Sequence, residues 1–197
     1  MRKVFFSFDW DDVWRVNQVR NNWVTKGSYK IAGYEDVAEI EKVRKQTDEE
    51  IKKWINRQMR GSSVTCVLIG NKTEKSKWVE YEIKKSIKKG NGLLGILVHN
   101  LKDSSGETAG EGKNPLREHG LEVGFGKRVE KALLSGGAAW GLSRVLFPHF
   151  ALPLTVLGVA LGMVISDEDY QIYDWEKDNG YENVAEWIEK AAKQVGR

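Results

Sequence analysis

Val64-Thr-Cys-Val-Leu-Ile69, Gly70-Asn-Lys-Thr-Glu-Lys75 and Ser76-Lys-Trp-Val-Glu-Tyr-Glu-Ile83 follow one another without a break, and their reading decides the rest. The first run is almost wholly apolar, as in a strand covered on both faces. The second is polar and carries Gly70 and Asn71, the signature of a turn. The third continues to Lys89 and places Val79, Ile83 and Ile87 at helical spacing, with Ser76 positioned as an N-cap. Strand, turn and helix make half of a βαβ unit. Trp78 and Glu82, four residues apart, share a helix face beside the apolar stripe. In a parallel sheet the start of such a helix lies at the carboxyl edge, where open α/β folds bind ligands. On these residues alone, a core-edge indole beside a solvated carboxylate is the better reading of the pair.

Outward from this unit the same alternation recurs. Lys3 to Phe8 reads as a buried strand, and Asp9-Trp-Asp-Asp12 opens a helix with Asp11 or Asp12 as its cap; Val13, Val16, Val19 and Trp23 form the apolar stripe. Thr25 to Tyr34 reads as loop with a short edge strand near Tyr29 to Ile31, and Asp36 to Arg44 as a helix. Thr47 and Glu50 form a capping-box pattern before Ile51, Trp54 and Ile55, and Gly61 ends that helix. Leu93 to Val98 is a third buried strand, Asn100 to about Gly126 a long polar loop, and Tyr170 to Tyr173 a last short strand. Asn183 is placed to cap a final helix carrying Val184, Trp187, Ile188, Ala191 and Ala192. The pattern predicts an α/β doubly wound, flavodoxin-like three-layer sandwich around a mainly parallel sheet, formed by residues 1–197 as a single domain.

Composition excludes several function classes. The 197 residues hold 31 basic and 28 acidic side chains, a formal charge of +3, and no uninterrupted basic stripe, so no nucleic-acid partner is expected. Three scattered histidines and the single Cys66 offer no metal-ligand spacing, so no metal and no cofactor are expected. The first residues are too briefly apolar for a signal peptide, which points to a cytoplasmic protein. One segment departs from the pattern. An apolar insertion at about 125–169, with its apolar core at 132–165, holds one formally charged side chain in that core, Arg144, while Pro148, His149 and Pro153 interrupt it. It is too short for two helical spans of ~20 residues plus a turn. Burial against the domain or in a homo-oligomer is preferred to a re-entrant or interfacial membrane association, which stays as the alternative.

Val4-Phe-Phe-Ser-Phe8, Val64-Thr-Cys-Val-Leu-Ile69 and the Trp78-x-x-x-Glu82 pair together resemble the TIR domain. Leu97-Val-His-Asn-Leu-Lys-Asp103, Gly112-Lys-Asn-Pro115, Tyr173-Asp-Trp-Glu-Lys-Asp-Asn-Gly-Tyr181 and Trp187-Ile-Glu-Lys-Ala-Ala-Lys193 narrow this to the TIR-like ThsB subunit family of bacterial Thoeris antiphage systems. The resemblance covers residues 3–124 and 170–197; the insertion departs from it. It implies an enzyme that cleaves the nicotinamide glycosidic bond of NAD and cyclises ADP-ribose to a diffusible nucleotide that activates a separate effector. NAD is then substrate, Glu82 the catalytic carboxylate, and Trp78 a receiver of nicotinamide. Phe6, Phe8, Asp9 and Trp10 after the first strand, and Asn71 and Thr73 before the helix, are the candidate pocket lining. Arg15 or backbone amides are candidates for the phosphates, because Asp9, Trp10 and Asp11 stand where some TIR hydrolases carry basic residues. Two other readings compete: a non-catalytic TIR assembly module, and a nucleoside deoxyribosyltransferase-like enzyme.

Overall fold

A computed structural model describes residues 2–25, 30–32, 37–116 and 170–197; the apolar insertion, with the assembly and membrane expectations attached to it, lies outside these residues. Five strands, β1 (Lys3–Phe8), β2 (Lys30–Ala32), β3 (Val64–Ile69), β4 (Gly92–Leu97) and β5 (Gln171–Asp174), form one sheet in the order β2-β1-β3-β4-β5. Every pairing is parallel. The helices are α1 (Val13–Thr25), α2 (Val37–Arg44), α3 (Asp48–Gln58), α4 (Lys77–Lys89) and α5 (Gly180–Gln194). The doubly wound α/β expectation is met, in the flavodoxin-like strand order.

Register assigns the faces. Ser7 pairs with Val67 and Phe6 with Cys66. Val67 and Ile69 pack with Val79, Ile83 and Ile87 of α4, so Ser7 also faces α4. Phe6 and Phe8, with Cys66 and Leu68, face the other layer, where α1 and α5 pack against each other. Tyr81 of α4 donates to Asn56 of α3 at 3.1 Å, which sets those two helices side by side. Each fully buried Val, Ile or Leu contributes ~1.5–3 kcal/mol, so strands buried on both faces are the main stabilising element.

Several boundaries move by a residue or more. β4 starts one residue earlier than expected, at Gly92, where α5 comes so close that a Cβ would stand 2.2 Å from the Ala191 carbonyl oxygen. β5 runs one residue further than expected, and β2 begins at Lys30. The cap of the first helical turn is Asp9, whose carboxylate accepts from the Asp11 amide at 3.1 Å; Asp11 and Asp12 lie inside the turn. Ser76 holds the N-cap position of α4 without a side-chain bond, because a 3₁₀ turn, Thr73–Lys75, leads directly into the helix. Helix α5 starts at Gly180 after Asn179 in the left-handed region (φ 51°), and Asn183 lies within it, donating back to the Asp178 carbonyl at 2.9 Å. The Thr47–Glu50 capping box forms as expected.

Candidate active site

In this strand order the crevice opens where the connections from β1 and β3 leave in opposite directions, and both connections lie there. Beneath it, Ser7 Oγ donates to Glu82 Oε2 at 2.6 Å. Both side chains are buried, Glu82 with 4% of its surface exposed. Loss of water raises the Glu82 carboxyl to about 8, against a smaller downward pull from the Ser7 hydroxyl. Among the described residues no charged group offsets the burial.

A buried polar chain holds α4 in the register that sets Glu82 against Ser7. Ser86 Oγ donates to the Glu82 carbonyl at 2.8 Å and shares a 2.7 Å bond with Thr65 Oγ1 on β3. Asn91 Nδ2 reaches Thr65 at 3.2 Å and Ser62 at 3.0 Å. Glu80 lies two residues from Glu82, on another side of the helix, half-exposed and paired with Lys84.

One helical turn before Glu82, Trp78 stacks on Trp10 with ring centroids 6.2 Å apart and planes 15° from parallel. A groove of about 280 Å³ opens beside the two indoles, bordered also by Asp9, Asp11, Arg44 and Lys72. Asp11 spans its mouth: one carboxylate oxygen takes Arg44 at 2.7 Å and the other takes Lys72 at 2.9 Å. Those two cations hold the Asp11 carboxyl below the ordinary aspartate value.

Asp9, Trp10 and Trp78 line the groove; Glu82 is not among its lining residues and sits one helical turn further along α4 against Ser7, while Phe6 and Phe8 lie on the far face of β1 from it. Thr73 is buried, its hydroxyl accepting from the Gly70 amide at 2.8 Å, so it shapes the turn. Asn71 is exposed beside the loop that carries Gly110 and Gly112. Arg15 is buried and bound to the Leu101 carbonyl, Asp12, Asp103 and the Glu107 carbonyl, so it pins that loop and is turned away from any phosphate role. Ser7, Asp11, Arg44 and Lys72 were not among the sequence candidates. A hydroxyl alone in an apolar strand was the available signal for Ser7; nothing local marks Arg44, which reaches the site only through tertiary packing. Among the described residues no three His, Cys, Asp or Glu side chains converge as a metal set, and no helix is long and apolar enough to cross a membrane.

A parallel 2-1-3-4-5 sheet with a buried glutamate on the helix after β3 and an indole one turn before it defines a TIR-like protein. Residues 5–103 match the family described as "Thoeris protein ThsB, TIR-like domain", and the chain belongs to that family. It is 37% identical over 190 residues, 95% of this chain and 98% of the relative, to "Putative cyclic ADP-D-ribose synthase ThsB1" of Bacillus cereus (strain MSX-D12).

Proposed function

We propose that the chain cleaves NAD between nicotinamide and ribose and closes the resulting ADP-ribose into a cyclic nucleotide that signals to a separate effector. The observation that carries this reading is the buried Glu82 carboxyl, hydrogen-bonded to Ser7 and one helical turn from an indole that stacks on Trp10. The relative's printed activity supports the same product class.

The chemistry suits the residues. When the ribose C1′–N bond breaks, nicotinamide leaves with the bonding pair as a neutral molecule, and positive charge develops at C1′. A carboxylate in a water-poor site stabilises that charge far more than it would in water. In the empty site, burial keeps Glu82 protonated near neutral pH; an arriving nicotinamide cation favours the ionised form and draws the group into its working state. Trp10 and Trp78 offer flat apolar faces for a planar cationic ring. Attack at C1′ by an adenine nitrogen or a ribose hydroxyl then closes the ring, with release of a proton, and exclusion of water favours closure over hydrolysis. No cofactor enters this scheme.

Incubating the purified chain with NAD and, separately, with nucleosides, and identifying products by mass spectrometry, tests the reading. Nicotinamide and a cyclic ADP-ribose isomer are expected from NAD, and both are lost in Glu82→Gln. Undiminished turnover by a folded Glu82→Gln protein refutes the assignment. Base exchange on nucleosides without NAD consumption would favour the deoxyribosyltransferase-like reading.

A further inference from the structure

The Asp11 bridge has the geometry of an anion seated in a two-cation receptor. Its two oxygens are divided between Arg44, at the end of α2, and Lys72, in the β3–α4 turn, so the carboxylate ties together two elements across the groove mouth. Neither cation has a buried structural task. Among the described residues Arg44 is otherwise paired with the exposed Glu41 and lies over the Trp10 ring at 5.9 Å, and Lys72 is 67% exposed. The groove, at about 280 Å³, is at the lower edge of the ~300–1,000 Å³ that ligand pockets occupy, and Asp11 is among its lining residues. A ligand that takes Arg44 and Lys72 together must displace Asp11 from both.

We infer that Arg44 and Lys72 form the receptor for the diphosphate of a dinucleotide substrate, and that Asp11 is a built-in stand-in anion that the substrate displaces. The inference rests on the NAD-cleaving reading for the identity of that substrate. The chemistry favours exchange: a diphosphate carries more charge and more acceptor oxygens than one carboxylate, and guanidinium and ammonium groups both bind phosphate strongly. Trp78 lies one helical turn, about 6 Å along α4, from Glu82, which leaves the reacting ribose between the carboxyl and the cations. The two cation partners hold the Asp11 carboxyl below the ordinary aspartate value, which favours the charged, bridging form.

The test is isothermal titration calorimetry on the full-length Glu82→Gln protein, which removes turnover, with ADP-ribose and adenosine as probes. Arg44→Ala and Lys72→Ala are each expected to weaken ADP-ribose about tenfold, the effect of one lost charge-assisted contact, and to leave adenosine unchanged. Asp11→Asn is expected to tighten ADP-ribose severalfold, whereas a purely organising role for Asp11 would weaken it. These three side chains are on the surface, and thermal melts confirm that each variant folds. Unchanged ADP-ribose affinity in both cation variants, weaker binding in Asp11→Asn, or no ADP-ribose binding by any form overturns the inference. Active protein that turns over NAD with cation-independent ADP-ribose binding keeps the proposed function and loses this receptor. Cation-dependent ADP-ribose binding in a protein that leaves NAD intact does the reverse.

Discussion

Two carboxylates lie at the same end of the sheet and are held in opposite states. Glu82, buried and hydrogen-bonded to the Ser7 hydroxyl, is pushed up to about 8; Asp11, half-exposed in the groove lining, is pulled down by two cations. Both are acids near a helix start, and the difference comes wholly from their surroundings: loss of water in one case, opposite charge in the other. In the proposed reaction these two states divide the work: the interior acid meets the developing positive charge, and in the inferred receptor the exterior acid gives way to phosphate.

The sharpest way to break this comparison is to delete the interior carboxylate. Glu82→Gln is expected to lower NAD turnover on the order of a thousandfold or more, read as nicotinamide release. The same variant tests the buried state through stability. A carboxyl whose folded value lies above its unfolded value binds a proton more tightly when folded, so stability falls as pH rises from about 4.5 to about 8 and is level above that. Denaturant unfolding should show wild type losing on the order of 4 kcal/mol across that window relative to Glu82→Gln. A difference that does not change with pH would mean that Glu82 is ionised in the resting fold.

Ser7→Ala sharpens the comparison from the other side. Its hydroxyl is the one contact favouring the ionised Glu82, so its loss should move the acidic limb of the kcat/KM profile to higher pH and reduce turnover about tenfold at neutral pH, with Ser7→Thr restoring both. A uniform fall at every pH would leave Ser7 with a packing role only. The smallest effect is expected at Glu80, paired with Lys84 on the helix surface. Glu80→Gln should leave turnover intact and change stability by less than about 0.5 kcal/mol. A large loss there would shift the catalytic acid from the interior to the surface.

The architecture was legible because β1, β3 and β4 are buried on both faces and so appear as continuous apolar runs, those of β3 and β4 adjoining glycine, and because α4 and α5 carry long apolar stripes. Glu82 and Trp78 were legible as a spaced pair. What sequence could not supply was depth and facing. Phe6 and Phe8 read as pocket neighbours by proximity to Asp9, yet strand alternation turns them to the α1 and α5 layer, while the less conspicuous Ser7 points at Glu82. Arg15 read as a free cation and is instead consumed by the loop after β4, four contacts deep. Caps shifted where a 3₁₀ turn capped by Asp9 precedes α1 and where the left-handed Asn179 starts α5, since local propensity does not encode the preceding turn; Ser76 keeps the expected N-cap position.

The apolar cluster beneath α4 has one more consequence. Leu116 is fully buried in it, and Tyr170, at the other side of the intervening stretch, packs against the same cluster. Leu116 and Tyr170 therefore meet at one patch before β5 and α5 complete the sheet and its covering layer. That patch is shared with Val79, Ile83 and Ile87, so the helix that carries Glu82 is braced by residues from both sides of the intervening stretch.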